Sequence, residues 1–159
     1  MMLDKLAQLF GRPAAQTPDP LRRPLAIAVL LAETARADFN ADEVERSTIQ
    51  DLLQRHCGVD KGEAARLLDQ ALASSRDAVS LHGYLRTLND ELDAPARSEL
   101  MLWLWRVAYA DGRVDPLEES RVRKIADLLY VPHSEFVRRR LQAEQEAGVS
   151  GTDGVGAVS

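Results

Sequence analysis

Six carboxylates in two short stretches have the types and spacing to hold a metal ion. In Ala108-Tyr109-Ala110-Asp111-Gly112-Arg113-Val114-Asp115-Pro116-Leu117-Glu118, Asp115 follows Asp111 by four residues and Glu118 follows it by seven. Asp38, Asp42 and Glu45 repeat that spacing upstream, each 73 residues before its counterpart. Carboxylate oxygens suit hard divalent cations, and calcium takes about six to eight oxygens in tolerant geometry. The pattern is not an EF-hand, which needs acidic residues at alternate positions and a Gly at the sixth. Here Gly112 directly follows Asp111, and Pro116 directly follows Asp115. The spacing leaves open whether calcium, magnesium, manganese or zinc would be the ion.

Helix capping offers a second explanation for part of this set. Asp115 and Glu118, with Pro116 between them, have the arrangement of a capping box at a helix start. Asp42 and Glu45 have the same one. Such a cap is worth about 1 kcal/mol without any metal. Asp111 and Asp38 are harder to account for, because a carboxylate at a helix C-terminus meets the negative end of the dipole. A cation, an Arg partner or a turn-stabilising hydrogen bond would each explain them.

Other chemistries find little footing. The single cysteine, Cys57, allows no internal disulfide and no cysteine-based metal site. His56, His82 and His133 are scattered, without HxxxH or HExxH pairing. No nucleophile–base pair and no Gly-rich phosphate loop is visible, so the expectation is a protein that is not an enzyme. A net charge of −5 argues against nonspecific nucleic-acid binding, which needs a basic face. No apolar run approaches the roughly 20 residues of a membrane span. The start, Met1-Met2-Leu3-Asp4-Lys5, lacks a signal peptide's basic region and apolar core. The expected location is cytoplasmic.

The elements that must position the acidic stretches are all helices. With 159 residues, 45% of them hydrophobic, one compact domain is the default. Residues 2–10 form a short amphipathic segment with Leu3, Leu6, Leu9 and Phe10 on one side, and residues 11–19 read as a linker. That segment either docks on the domain or lies on a membrane surface, giving peripheral association. A second helix opens at Asp19-Pro20, is apolar on more than one face, and ends near Asp38. A third follows Asp42 and ends at Gly58. A fourth opens at Asp60 and ends near Ser74-Ser75. Leu81, Tyr84, Leu85 and Leu88 mark a fifth, over about 79–91.

Asp93-Ala94-Pro95 starts a sixth, whose Leu100 to Ala108 stretch is the most apolar here. It is the expected central partner of the second helix. Trp103 and Trp105 lie about 200° apart on it, so one is expected in the core and the other at a surface or interface. A seventh helix runs from Asp115-Pro116 to about Leu129, with Val122, Ile125, Ala126 and Leu129 inward. The eighth runs from about Ser134 to Ala147, with Phe136, Val137 and Leu141 inward and Arg138-Arg139-Arg140 on a solvated face. Residues 148–159 are a Gly-rich tail, expected to be disordered.

The fold class is therefore all-α, a helical bundle of about seven or eight helices. The shift of 73 residues aligns more than the acidic stretches: Ile27 falls on Leu100, Leu30 on Trp103, Leu31 on Leu104, Ile49 on Val122 and Leu52 on Ile125. This points to an internal pseudo-two-fold repeat, with repeat one over 20–75 and repeat two over 93–147. Sequence does not fix whether the two acidic turns share one cleft.

The stretch Val107-Ala108-x-Ala110-Asp111-Gly112-x-Val114-Asp115-x-x-Glu118, with Leu30-Leu31-Ala32-Glu33, Ala35-x-Ala37-Asp38 and Asp42-x-x-Glu45, resembles the TerB family of tellurite-resistance B-like domains. The likeness covers about residues 20–145. The first copy departs from the pattern, with Phe39 in place of Gly and Ala41 in place of Val. The resemblance implies an all-helical duplicated fold, metal binding through acidic residues, and association with tellurite or general stress-response systems or membrane-linked assemblies. A related module is attached to a membrane-anchored DnaJ-type co-chaperone, but no His-Pro-Asp tripeptide supports that role here.

The leading expectation is a TerB-like non-enzymatic binding or scaffold module with protein partners, tuned by a divalent cation. One alternative is a metal-assisted hydrolase using carboxylates of both turns. Another is a structural adaptor docking through residues 2–10 to a membrane-linked complex. The oligomeric state stays open.

Overall fold

A computed structural model describes residues 20–35, 43–74 and 78–148. The segment 2–10, the linker, the tail beyond 148, and Asp38 and Asp42 lie outside the described residues. Described are α1 (Arg22–Ala35), α2 (Glu43–Cys57), α3 (Lys61–Ser74), α4 (Ala78–Glu91), α5 (Ala94–Ala108), α6 (Pro116–Leu128) and α7 (His133–Ala147). The chain is all-helical over these residues, as the periodicity requires.

The helix boundaries follow local chemistry. Asp60 accepts the Glu63 N–H at 2.7 Å and opens α3. Asp93 accepts the Ala96 N–H at 2.9 Å and opens α5, with Pro95 in its first turn. Gly58 ends α2 at a φ of 67°, a conformation that costs a glycine little. Helix α6 closes with the Val131 N–H on the Ala126 carbonyl at 3.0 Å, and Pro132 then prevents its continuation.

Helix α1 is buried along nearly its whole length, from Ala26 to Ala35. It packs against α2, α3, α4, α5 and α6, while α5 packs against α1, α2, α6 and α7. The two most apolar helices are thus neighbours at the centre of one core. The contacts come in matched sets: α1 with α2 and α3, α5 with α6 and α7, then α1 across to α6 and α5 across to α2.

Three expectations about side-chain direction need correction. Trp103 and Trp105 are both buried, at 9% and 0% exposure. Helix α5 is surrounded, so opposite faces both meet protein. His56 of α2 stacks on Trp103 at 4.6 Å, while Phe136 of α7 meets Trp105 edge-on at 5.2 Å. On α7, Val137 and Leu141 are exposed and Phe136 and Ala143 are buried. The space between Phe136 and Ala143 goes to Arg139 and Arg140, which are not on a solvated face. Arg140 lies over the Trp105 ring at 4.9 Å, donates to the Tyr109 hydroxyl at 3.0 Å and pairs with Glu119 at 2.8 Å. Arginine stems cover apolar surface and the guanidinium favours an aromatic face, so two arginines here replace two aliphatic residues.

Candidate functional site

The turn between α5 and α6 is built by backbone bonds. After Ala108 the Tyr109 N–H reaches the Trp105 carbonyl at 2.9 Å, and the Gly112 N–H reaches that of Tyr109 at 2.9 Å. Gly112 takes a φ of 98°, where a side chain would be strained. Asp111 lies in this turn, beyond the last helical residue, and its Oδ1 accepts the Arg113 N–H at 3.2 Å. A turn-stabilising hydrogen bond therefore accounts for Asp111 without a cation. Asp115 caps α6: its Oδ1 accepts the Leu117 N–H at 2.7 Å, and the capping box with Glu118 is complete.

Glu118 does more than cap. Its Oε1 accepts the Asp115 N–H at 3.1 Å. Its Oε2 is buried and, among the described residues, meets no amide or hydroxyl donor. The Glu118 carboxyl is also set against the Glu45 carboxyl of α2. Each of the two residues is only 3% exposed. Two ionised carboxyls in such contact repel, which favours the protonated form of Glu118. Burial, first, and the hydrogen bond with Glu45, second, push the Glu118 carboxyl up to about 8. The bond from the Asp115 amide opposes this, and the charges of Glu45 and Asp111 add to it.

Sequence position explains why both side chains point inward. Glu45 leads the buried stripe Ile49, Leu52, Leu53 on α2, and Glu118 leads Val122, Ile125, Ala126 on α6. Each stripe has helical spacing, so the glutamates fall on its line. A cleft of about 330 Å³ opens beside the pair, lined by Asp111, Arg113, Val114, Asp115, Pro116 and Glu118.

The six sequence-derived candidates thus separate. Glu45 and Glu118 meet. Asp115 and Asp111 stand at the cleft wall, each holding a backbone amide. Asp38 and Asp42 lie outside the described residues. Among the described residues no group of three or more His, Cys, Asp or Glu is arranged to hold a metal ion. The oxygen-only chemistry of the pair and the orphaned Oε2 fit a hard cation as the core of a donor set.

Reasoning from spacing alone treats Glu118 as spent once it is a cap, and so overlooks its free oxygen. The missed signal is the alignment of both glutamates with the buried stripes. Missed too is Glu33, which is buried in α1 and ion-paired with Arg121 of α6. His56 stacks on Trp103, and burial pushes the Cys57 thiol up to about 11, away from reactivity.

A family model described as tellurite resistance protein TerB matches residues 24–141. The chain belongs to the TerB family. The match runs from α1 into α7 and takes in all six candidate carboxylates. No curated protein and no solved structure matches the chain. Within the described residues, no helix of this TerB domain is long and apolar enough to cross a membrane.

Proposed function

We propose that this TerB domain is a binding or scaffold module of a stress response, and that its ligand site is the Glu45–Glu118 carboxyl pair. The pair takes a hard divalent cation in exchange for the Glu118 proton. The observation that carries this is the meeting of two 3%-exposed carboxyls from different helices, one with a buried oxygen that meets no N–H or hydroxyl donor among the described residues. A bound cation would place positive charge beside the buried Glu118 Oε2. Glu118 is held in place by the Asp115 amide, and α2 presents Glu45 to it. Asp111 and Asp115 add negative potential at the cleft wall. The 73-residue relation between Glu45 and Glu118, and the matched helix contacts, support a duplicated fold in which the two acidic elements share this site.

Binding is the simpler reading of the cleft: among the described residues its lining offers carboxylates and one arginine, and no Ser or Cys that could act as a protein nucleophile. The family description supports the stress-response role. Calorimetric titration with calcium, magnesium, manganese and zinc tests the site. Wild type should bind at least one of these ions, and Glu45→Gln and Glu118→Gln should each weaken binding. Equal affinity in the variants would overturn the assignment.

A further inference from the structure

At the end of α2 farthest from the acid pair, α1, α2 and α4 border a cavity of about 380 Å³, within the size range of small-molecule sites. Helix α2 carries Glu45 in its first turn and His56 and Cys57 at this cavity, so the two places lie roughly 17 Å apart along it. Two arginines and one acid meet here. Arg23 Nε pairs with Glu91 at 3.1 Å, and Arg22 Nε reaches the same carboxylate at 3.7 Å. Arg22 also donates to the Thr87 hydroxyl, from Nε and from Nη2, in both cases at 3.4 Å. Good N–H···O bonds lie near about 2.9 Å and a guanidinium carries several donors, so Arg22 has capacity for a closer acceptor.

The charges leave a positive remainder. Helix α1 begins at the cavity with the positive end of its dipole, while α2 and α4 end there with negative ones. At roughly half a charge per helix end, these ends and Glu91 together offset less than the two guanidiniums supply. The Cys57 thiol adds no negative charge, because burial keeps it protonated. The surplus is under one full charge, which a monoanion covers and a dianion overshoots. Apolar surface completes the lining: Pro20, Pro24 and Ile27 come from the start of α1, and His56 is held by stacking on Trp103 at 4.6 Å. A few polar groups set in apolar surface is the usual make-up of a small-ligand pocket.

We propose that this cavity binds a small organic monocarboxylate. Its carboxylate sits between Arg22 and Arg23, beside Glu91, and its hydrocarbon part covers Pro20, Pro24 and Ile27. The planar guanidinium fork matches a carboxylate in two-pronged fashion. This site is independent of the cation reading above, and either can fail without the other.

The test titrates the nitrogen-15-labelled full chain with hexanoate and follows the Arg22 and Arg23 Nε–H and Trp103 indole N–H signals by NMR. Hexanoate should move all three along one saturable curve. Hexanol and hexylamine should not, and inorganic phosphate should bind more weakly than hexanoate. No response to hexanoate, an equal response to hexanol, or tighter binding of phosphate would overturn the proposal. Arg22→Gln and Arg23→Gln, read at Trp103, should each weaken hexanoate binding by about tenfold, the scale of one charge-assisted contact. Glu91→Gln removes the internal competitor and should tighten binding by about threefold, the scale of one half-exposed charge. A purely structural role for these ion pairs would leave Glu91→Gln unchanged or weaker, and that result would also overturn the proposal. If Glu91→Gln does not fold, Arg22→Gln decides: a tenfold loss supports the site, and unchanged affinity overturns it.

Discussion

Replacing Glu118 by Gln should stabilise the metal-free protein at neutral pH and lose that advantage in acid. The carboxyl of Glu118 moves from 4.5 up to about 8 on folding, chiefly by burial and then by its bond to Glu45. Between those values the folded chain keeps a proton that the unfolded chain has released. Stability then falls as pH rises, at up to about 1.4 kcal/mol per pH unit for one proton. Below the lower value both states are protonated, and above the upper value both are ionised, so the slope vanishes outside the window. Gln keeps a carbonyl for the capping box and offers an N–H to Glu45, mimicking the protonated acid. From about pH 5 to about pH 7, wild type should lose roughly 2–3 kcal/mol relative to Glu118→Gln. Urea denaturation at a series of pH values, with chelator present and matched m-values, measures the difference directly. Parallel stability curves for the two proteins, or a variant uniformly less stable than wild type, would refute the buried proton on Glu118.

Three further outcomes follow from the same geometry. Cation binding near neutral pH should release a proton, so calorimetric enthalpies should vary with the ionisation enthalpy of the buffer; buffer-independent enthalpies would contradict it. Trp105→Ala should cost about 3–5 kcal/mol in chemical denaturation, since it empties a fully buried site and strips Arg140 of its ring partner. A cost below about 1 kcal/mol would mean that the core closes over the gap. The Cys57 thiol, raised from 9.0 to about 11 mainly by burial, should react with a disulfide reagent about a hundredfold more slowly in the folded than in the unfolded chain. Equal rates would place that thiol in water.

Much of the helical scaffold was legible in the chain because periodicity and capping are local. Asp60, Asp93 and Asp115 mark helix starts, and Gly58 marks a stop, from chemistry within a few residues. The direction of side chains on crowded helices is not local. Trp103 and Trp105 sit on opposite sides of α5, and only the neighbours of that helix decide that both are covered. On α7, aliphatic character pointed to Val137 and Leu141, whereas a Trp105 ring on another helix makes Arg140 the better filler. The candidate site was half legible. Spacing and type selected Glu45 and Glu118 among six carboxylates, and capping correctly explained Asp115. Their meeting depends on how α2 and α6 cross the central pair, which no stretch of either helix encodes alone. Glu33 and Arg121 are 88 residues apart, and neither has a motif to link it to the other.

The most direct measurement of the central claim is the titration of the Glu45 and Glu118 side-chain carboxyls by carbon-13 NMR, without metal and then with the best-bound cation. In the metal-free protein the two should titrate as a coupled pair, with Glu118 well above the ordinary carboxylate range, and saturating cation should bring that titration down. Two independent carboxyls near ordinary values, indifferent to cation, would show that α2 and α6 do not build a shared acidic site.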